Sequence, residues 1–189
     1  ERFGVSRGSV RDAIRTLEIA GLVAARQGEG TVVADVSPEA MAAPLASVLV
    51  RKRELIADLL DVRKILEPAL AARAARRATP EEIARLEDVL RRQRAKMLRG
   101  ESTVEEDSEF HSVVAHAARN GVVLKVLDVL MDLLRETRAR SLQVEGRLQR
   151  SFAGHRRVLE AIRRRDPDAA ERAVRRHLEE IESIVMEKL

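Results

Sequence analysis

The chain has 189 residues, of which 45% are hydrophobic, enough for a folded core in one large domain or two small ones. Charged residues make up 35% and aromatic residues only 2%, a profile typical of amphipathic helices, so we expect a mostly α protein. The formal net charge of +4 is compatible with a nucleic-acid partner but decides little, because such charges often pair along helix faces. The absence of cysteine excludes disulfides, thiolate catalysis and cysteine-ligated zinc.

Nothing in the chain predicts a membrane protein. No segment reaches the roughly 18 consecutive apolar residues that a membrane-spanning helix needs, so we expect a cytoplasmic protein that does not interact with membranes. The chain opens with Glu1 in the middle of a motif, and we expect upstream residues to be missing. A targeting signal in those residues stays an open question.

The first motif is a short helix followed by a hairpin. Serines at positions 6 and 9 offer capping hydroxyls, apolar residues then recur with helical spacing, and Gly21 ends the pattern. Two β-prone runs, 22–26 and 31–34, flank a turn of Gln-Gly-Glu-Gly at 27–30. A helix and a hairpin within so few residues indicate part of a winged helix-turn-helix.

The polar residues of this helix lie at its start and on its outer side. They are Arg7, Ser9, Arg11 and Arg15. A recognition helix presents its first residues to the major groove, where guanidinium groups bind guanine and hydroxyls reach phosphates. The alternative is an exposed helix with solvated arginines.

The stretch from Phe3 to Arg15, with Gly21-Leu22-Val23 and the run from Arg26 to Thr31, resembles the winged helix of the GntR superfamily from its second helix onward. The resemblance implies that residues 1–36 form a DNA-binding domain incomplete at its N-terminus. It also implies that Arg7 and Arg11 contact DNA and that Gly28 and Gly30 form the wing tip. Gly8 and Glu29 depart from the family pattern, and an acidic Glu29 would repel phosphate, so we do not expect Glu29 to contact DNA.

A connector is predicted at residues 37–53 and an antiparallel bundle of about six to seven helices at 54–189. The predicted helices begin near Glu54, near Thr79 and near Ser102 or Thr103, and the third ends at Asn120-Gly121; the last two begin near Arg150 and Ala169. The first is expected to be interrupted or kinked at Pro68. The helix after Asn120 is expected to run to about Leu142.

Four polar residues lie on apolar helix faces: Asp107, His111, His155 and His177. His116, the fourth histidine of the chain, has polar neighbours at helical spacing and is expected to be exposed. A single inward histidine is usually a core residue whose hydrogen bonds are satisfied. Three inward histidines and one carboxylate together favour a shared metal ion, since one oxygen and three nitrogen ligands suit Zn²⁺, Ni²⁺, Fe²⁺ or Mn²⁺.

The same region resembles the FCD ligand-binding domain of FadR-type regulators. The resemblance lies in the run from Asp61 to Glu67, in the run from Asp107 to His111, and in the stretch from His155 to His177. It implies that Asp107, His111, His155 and His177 are metal ligands. It does not identify the divalent transition metal, for which we expect zinc ahead of the alternatives.

Two arginines are candidates for binding an effector. Arg63 shares a helix face with leucines and an isoleucine, so its guanidinium is expected to point inward, with Glu67 one turn away. Arg63 either pairs with Glu67 or clamps the carboxylate of a small effector that also touches the metal. Arg138 is a second candidate, and the alternative for it is a solvated cation near a helix end.

Together these features predict a DNA-binding transcription regulator, a repressor that responds to a small organic acid and binds a palindromic operator as a homodimer. Two other functions stay open. A metal-dependent hydrolase would need a general base, and we expect no second inward carboxylate near the proposed ligands. A DNA-binding dimer with a purely structural metal would show no response to carboxylates.

Overall fold

The computed structural model describes residues 4–34 and 53–188. The first range folds as a helix and a hairpin. Helix α1 spans Arg7–Ile19, and strands β1 (Val23–Arg26) and β2 (Gly30–Val33) pair antiparallel, with Val23 opposite Val33 and Arg26 opposite Gly30. The predicted helix and hairpin are both confirmed. The predicted connector, apart from residue 53, lies outside the described residues.

Seven helices make up the second range, so the described part of the chain is mostly α, as predicted. They are α2 (Arg53–Arg77), α3 (Pro80–Leu98), α4 (Val104–Ala117), α5 (Gly121–Leu133), α6 (Arg135–Ser141), α7 (Arg147–Arg163) and α8 (Pro167–Lys188). Helix α8 packs mainly on α2 and α7, and α4 lies against α2 and α3.

Side-chain caps fix several helix starts where the sequence predicts them. Ser6 caps α1 by accepting from the backbone N–H of Ser9 at 3.0 Å. Thr79 forms a capping box with Glu82 at the start of α3. Asn120 caps α5 by accepting from the N–H of residue 123 at 3.2 Å. Each cap satisfies backbone donors that have no partner within the helix.

Two helix boundaries differ from the prediction. Helix α2 continues through Pro68 without interruption. Proline removes one backbone hydrogen bond, and the burial of flanking Glu67 and Leu70 shows that tertiary packing holds this segment in place. The helix predicted from Asn120 to about Leu142 is divided at Leu134 into α5 and α6. This division places Arg138 on a short separate helix.

The core of the bundle lies between α2, α3, α4, α7 and α8. The second half of α2 and the residue that follows it contribute small residues with 0–3% exposure: Ala71, Ala74, Ala75 and Ala78. Small side chains let neighbouring helices approach closely, which explains how several polar side chains come together at the centre of the bundle. None of the described helices is both long and apolar enough to cross a membrane.

Candidate metal centre and nucleic-acid interface

Three histidines from three helices meet at the centre of the bundle. His111 of α4, His155 of α7 and His177 of α8 each place a ring nitrogen so that the three nitrogens lie within 4.8 Å of one another. All three side chains are buried, with exposures of 4% or less. His116 is exposed, as predicted, so helical periodicity separates the clustered histidines from the solvated one.

His111 is oriented by a carboxylate on α2. Its Nδ1 lies 2.6 Å from Oε2 of Glu67, which itself is only 4% exposed. Burial raises the pKa of Glu67, but the charge of Arg63 and the contact with His111 outweigh it and lower the pKa to about 2. An ionised Glu67 accepts a hydrogen bond from Nδ1–H, so the lone pair of His111 lies on Nε2, the atom that faces His155.

His155 is oriented in the same way by an amide. Its Nδ1 lies 3.2 Å from Oε1 of Gln93, and its ring stacks on Phe110 with centroids 4.2 Å apart. Burial lowers the pKa of His155 to about 3, so the ring is neutral at pH 7. Its Nε2 lies 3.3 Å from Nε2 of His111. Two acceptor lone pairs therefore face each other in a buried site.

His177 lies where α7 and α8 come closest. A methyl group added at Gly154 would lie 2.9 Å from Cγ of His177 and closer still to Nδ1, so only glycine leaves room for this ring. Its Nδ1 is buried without a hydrogen-bond partner in the described part of the chain. Burial holds the pKa of His177 well below its usual value, so this ring is also neutral.

Asp107 lies beside the three histidines but outside the set that converges within 4.8 Å. Its Oδ1 accepts from the hydroxyl of Ser151 at 2.7 Å and lies 3.6 Å from Nε2 of His155. Its Oδ2 binds the guanidinium of Arg138, with Nε at 3.1 Å. Burial opposes ionisation of Asp107, but Arg138 and the histidines hold its pKa well below the ordinary value.

Both arginines predicted to bind an effector are buried, and both already have carboxylate partners. Arg63, 2% exposed, pairs with Glu67, which is the alternative that the sequence left open, and its Nη2 lies 3.3 Å from Nε2 of His111. Arg138, 4% exposed, pairs with Asp107 and is therefore not a solvated cation. Glu67 also corrects the expectation of no second inward carboxylate. Its pKa of about 2 makes it a poor general base.

Two buried residues near the centre are missing from the sequence prediction. Gln93 has 0% exposure and lies on the face of α3 that also buries Leu86 and Leu90, a spacing that could have revealed it. Arg147, 2% exposed, is the first residue of α7. The sequence predicts the start of that helix at Arg150, three residues later. Arg147 is therefore not recognised as part of the periodic pattern that contains Ser151 and His155.

The donor set fits a divalent transition metal. With zinc–nitrogen bonds of about 2.0–2.1 Å, two nitrogens on one tetrahedral ion lie about 3.3 Å apart. The separation between Nε2 of His111 and Nε2 of His155 is 3.3 Å. Burial keeps His155 and His177 neutral, and His111 and His155 have their Nδ1 atoms held by buried side chains, as metal-binding histidines usually have.

The predicted DNA-contacting residues are all exposed on α1 and the hairpin. Arg7, Ser9, Arg11 and Arg15 lie on the helix surface. Gly28 lies in the β1–β2 turn and Gly30 is the first residue of β2, with φ of +84° and +80°, a conformation that strains other residues. The side chain of Glu29 lies 3.5 Å from Arg26, so its charge is partly offset within the hairpin.

Comparison with known proteins identifies both parts of the chain. Residues 58–180 match the FCD domain, and residues 1–33 match the bacterial regulatory proteins of the gntR family. The HTH-type transcriptional regulator LutR of Bacillus subtilis is 31% identical over 98% of this chain and 87% of its own length. The chain belongs to the GntR family. It is a DNA-binding transcription regulator of the GntR/FCD type and not an enzyme.

Further relatives and solved structures of other regulators are also similar to this GntR-family chain. The HTH-type transcriptional repressor NanR of Cronobacter sakazakii is 30% identical over 95% of this chain and 71% of its own length. The structure of Streptococcus agalactiae GntR superposes with a TM-score of 0.76 at 25% identity, over 96% of this chain and 84% of that one. Escherichia coli McbR/YncC shares the fold, with a TM-score of 0.66 at 14% identity over 99% of this chain and 83% of that one.

Proposed function

We propose that this chain is a repressor that releases its operator in response to a small organic acid, and that its helical domain binds a divalent metal ion. The observation that carries the proposal is the convergence of three buried imidazoles within 4.8 Å. Such a set is costly to bury without a shared partner, because each ring nitrogen loses its hydrogen bonds to water. A metal ion satisfies all three at once.

The metal site would consist of His111, His155 and His177, with Asp107 as a fourth ligand. The imidazole set favours Zn²⁺ over Ni²⁺, Fe²⁺ and Mn²⁺, although geometry alone does not separate these ions. For Asp107 to bind the ion, its Oδ1 would exchange the contact with Ser151 for the metal. Bound at this position, the metal would supply a Lewis-acid site for a carboxylate oxygen of the effector.

On the DNA side, α1 would enter the major groove. Arg7 and Arg11, at its N-terminal end, would read bases, while Ser9 and Arg15 would contact the phosphate backbone. The turn containing Gly28 and Gly30 would reach the minor groove. A homodimer would bring two such helices to a palindromic operator whose half-sites lie about one helical turn apart, and the protein would act in the cytoplasm.

An effector carboxylate would bind the metal together with Arg63 or Arg138. Both guanidinium groups lie within contact distance of proposed ligands, since Arg63 touches His111 and Arg138 touches Asp107. An effector that competes for these arginines would alter the packing of α2 and α6 against α4. Such a change would shift the dimer from forms that fit the operator towards forms that do not. By linkage, bound DNA would weaken effector binding by the same factor.

A purely structural metal is the second candidate, and one observation favours it. The cavity lined by His111, His155 and His177 has a volume of about 10 Å³, which holds no more than one water molecule. A metal in a closed site would stabilise the bundle without any response to carboxylates. An effector, in contrast, requires the site to open.

The decisive experiment measures operator binding with and without carboxylates. Duplex DNA selected from a random library by the zinc-loaded protein serves as operator, and a panel of metabolic carboxylates is screened by thermal shift and then by gel shift. The proposal expects at least one acid that raises the melting temperature and releases DNA, with Arg63→Ala and Arg138→Ala retaining DNA binding and losing the response. If zinc removal unfolds the bundle and no acid alters DNA affinity, the metal is structural.

A further inference from the structure

Arg147 is a buried cation for which residues 4–34 and 53–188 provide no carboxylate within ion-pair distance. It is 2% exposed, and its Nε and Nη1 atoms are buried without a hydrogen-bond partner among the described residues. Burial lowers the pKa of Arg147 to about 10, which leaves its guanidinium charged at neutral pH. A buried charge in this state is costly, so its position calls for a ligand.

The position of Arg147 connects it to the proposed metal centre. Arg147, Ser151 and His155 are spaced by four residues and share one face of α7, so Arg147 lies about 6 Å along the helix axis from Ser151. Ser151 donates to Asp107, and the field of Asp107 acts on Arg147. Arg147 therefore lies on the Asp107 side of the histidine cluster and is not among the residues that line the small cavity between the three histidines.

The other two buried arginines differ from Arg147 in their partners. Arg63 is held by Glu67, and Arg138 is held by Asp107 and Ser108. The third buried carboxylate, Glu106, pairs with Arg92 and Lys96, which leaves Glu67 and Asp107 against the three buried guanidinium groups. One positive charge is therefore in excess among these five groups, and a divalent ion would add two more. A ligand with two negative charges would offset most of this excess, whereas a monoanion would leave most of it in place.

We propose that Arg147 binds a second anionic group of the effector, so that the ligand class is a small dicarboxylate that reaches from the metal centre to Arg147. The inference rests on the proposed function, because it takes the effector site to lie at the histidine cluster. Bidentate binding by a guanidinium also explains why an arginine occupies this position: its planar donors match a carboxylate.

The experiment compares matched acids on the zinc-loaded full chain by calorimetric titration. Malonate and succinate carry two carboxylates, and propionate and butyrate are their single-carboxylate counterparts. We expect at least one diacid to bind ten-fold or more tightly than its counterpart. In Arg147→Gln that advantage is lost while monoacid affinity is unchanged, and Arg150→Gln, an exposed arginine on the same helix, behaves as wild type.

A second measurement needs no ligand. Arg147→Gln removes an uncompensated buried charge, so the metal-free variant should melt at a higher temperature than metal-free wild type. A lower melting temperature would show that Arg147 is structural and would overturn the inference. Diacids binding equally to wild type and Arg147→Gln, or no tighter than monoacids, would also overturn it and leave the proposed function intact. If no acid of either kind binds, the inference and the effector part of the proposed function both fail.

Discussion

Substituting Gly154 by alanine tests whether the position of His177 matters for metal binding. In most helix interiors, glycine to alanine stabilises a protein by about 0.5–1 kcal/mol. At Gly154 the new methyl group would lie 2.9 Å from Cγ and 3.1 Å from Cβ of His177. His177 is 2% exposed and cannot swing into solvent, so its ring must shift within a packed core.

The expected loss of stability has two sources: the cost of overpacking the core, and the smaller contribution of zinc binding to the free energy of unfolding. Forcing a methyl group into a filled core costs about 1–3 kcal/mol, so the expected change in stability has the opposite sign to that at an open helix position. Displacing a ligand from its oriented position should weaken metal binding about 10–100-fold. At a zinc concentration 100 times the wild-type Kd, zinc stabilises the wild type by about 2.7 kcal/mol, and a 100-fold weaker variant by only about 0.4 kcal/mol.

Denaturant unfolding with and without zinc measures both effects, and competition with a chromophoric chelator gives the zinc affinity directly. Gly121→Ala is the matched control, because a methyl group at this first residue of α5 meets no atom within 4 Å. The reasoning is refuted if Gly154→Ala binds zinc as tightly as Gly121→Ala does and if zinc raises the free energy of unfolding of both variants by the same amount.

Three further predictions concern DNA, metal and pH. Arg11→Ala should weaken operator binding by about 1–3 kcal/mol in a gel shift. Arg94→Ala, which changes an exposed arginine of α3, should bind the operator as wild type does. If both variants bind the operator equally well, Arg11 is not part of the interface. His177→Ala should lower the zinc content per chain with little change in DNA affinity, whereas His116→Ala should keep its zinc, and unchanged stoichiometry in both would exclude His177 as a ligand. The metal-free protein should lose stability as pH falls below about 6.5, because His155 has a folded pKa of about 3 and takes up its proton only on unfolding. Urea unfolding between pH 7 and 5 checks this, and a slope that His155→Gln does not reduce would contradict it.

Periodicity alone predicts much of this fold. Helical spacing places Asp107 and His111 on one inward face of α4, and His155 and His177 among apolar neighbours on α7 and α8, and all four are buried. The same rule leaves His116 exposed. The capping box at Thr79 predicts the start of α3, because it depends only on residues three apart.

Contacts between helices could not be predicted in this way. Periodicity shows that Arg63 faces inward with Glu67 one turn away, but not that Glu67 meets His111 of another helix. The pairing of Arg138 with Asp107 depends on the division at Leu134, which creates α6 and which a continuous apolar pattern conceals. The contact of Gly154 with His177 depends on the distance between α7 and α8, which no residue pattern in one helix contains.

The buried polar network is compatible with the response to an effector that we propose. Arg63, Glu67, Arg138 and Asp107 satisfy one another in the structure described here, and a buried ion pair loses its stability when one member is drawn away. An anion that bound Arg63 would change contacts between α2 and α4, and one that bound Arg138 would change contacts between α6 and α4. A small shift of side chains at such a centre can move whole helices, because closely packed helices have few alternative arrangements.

The metal content of the purified full chain tests the central claim most directly. After reconstitution with excess zinc and removal of unbound ions, elemental analysis should find one zinc ion per chain in the wild type and almost none in His155→Ala, whose ring nitrogen lies 3.3 Å from that of His111. Wild-type protein that is folded and retains no zinc, nickel, iron or manganese would contradict the claim that these three histidines form a metal centre.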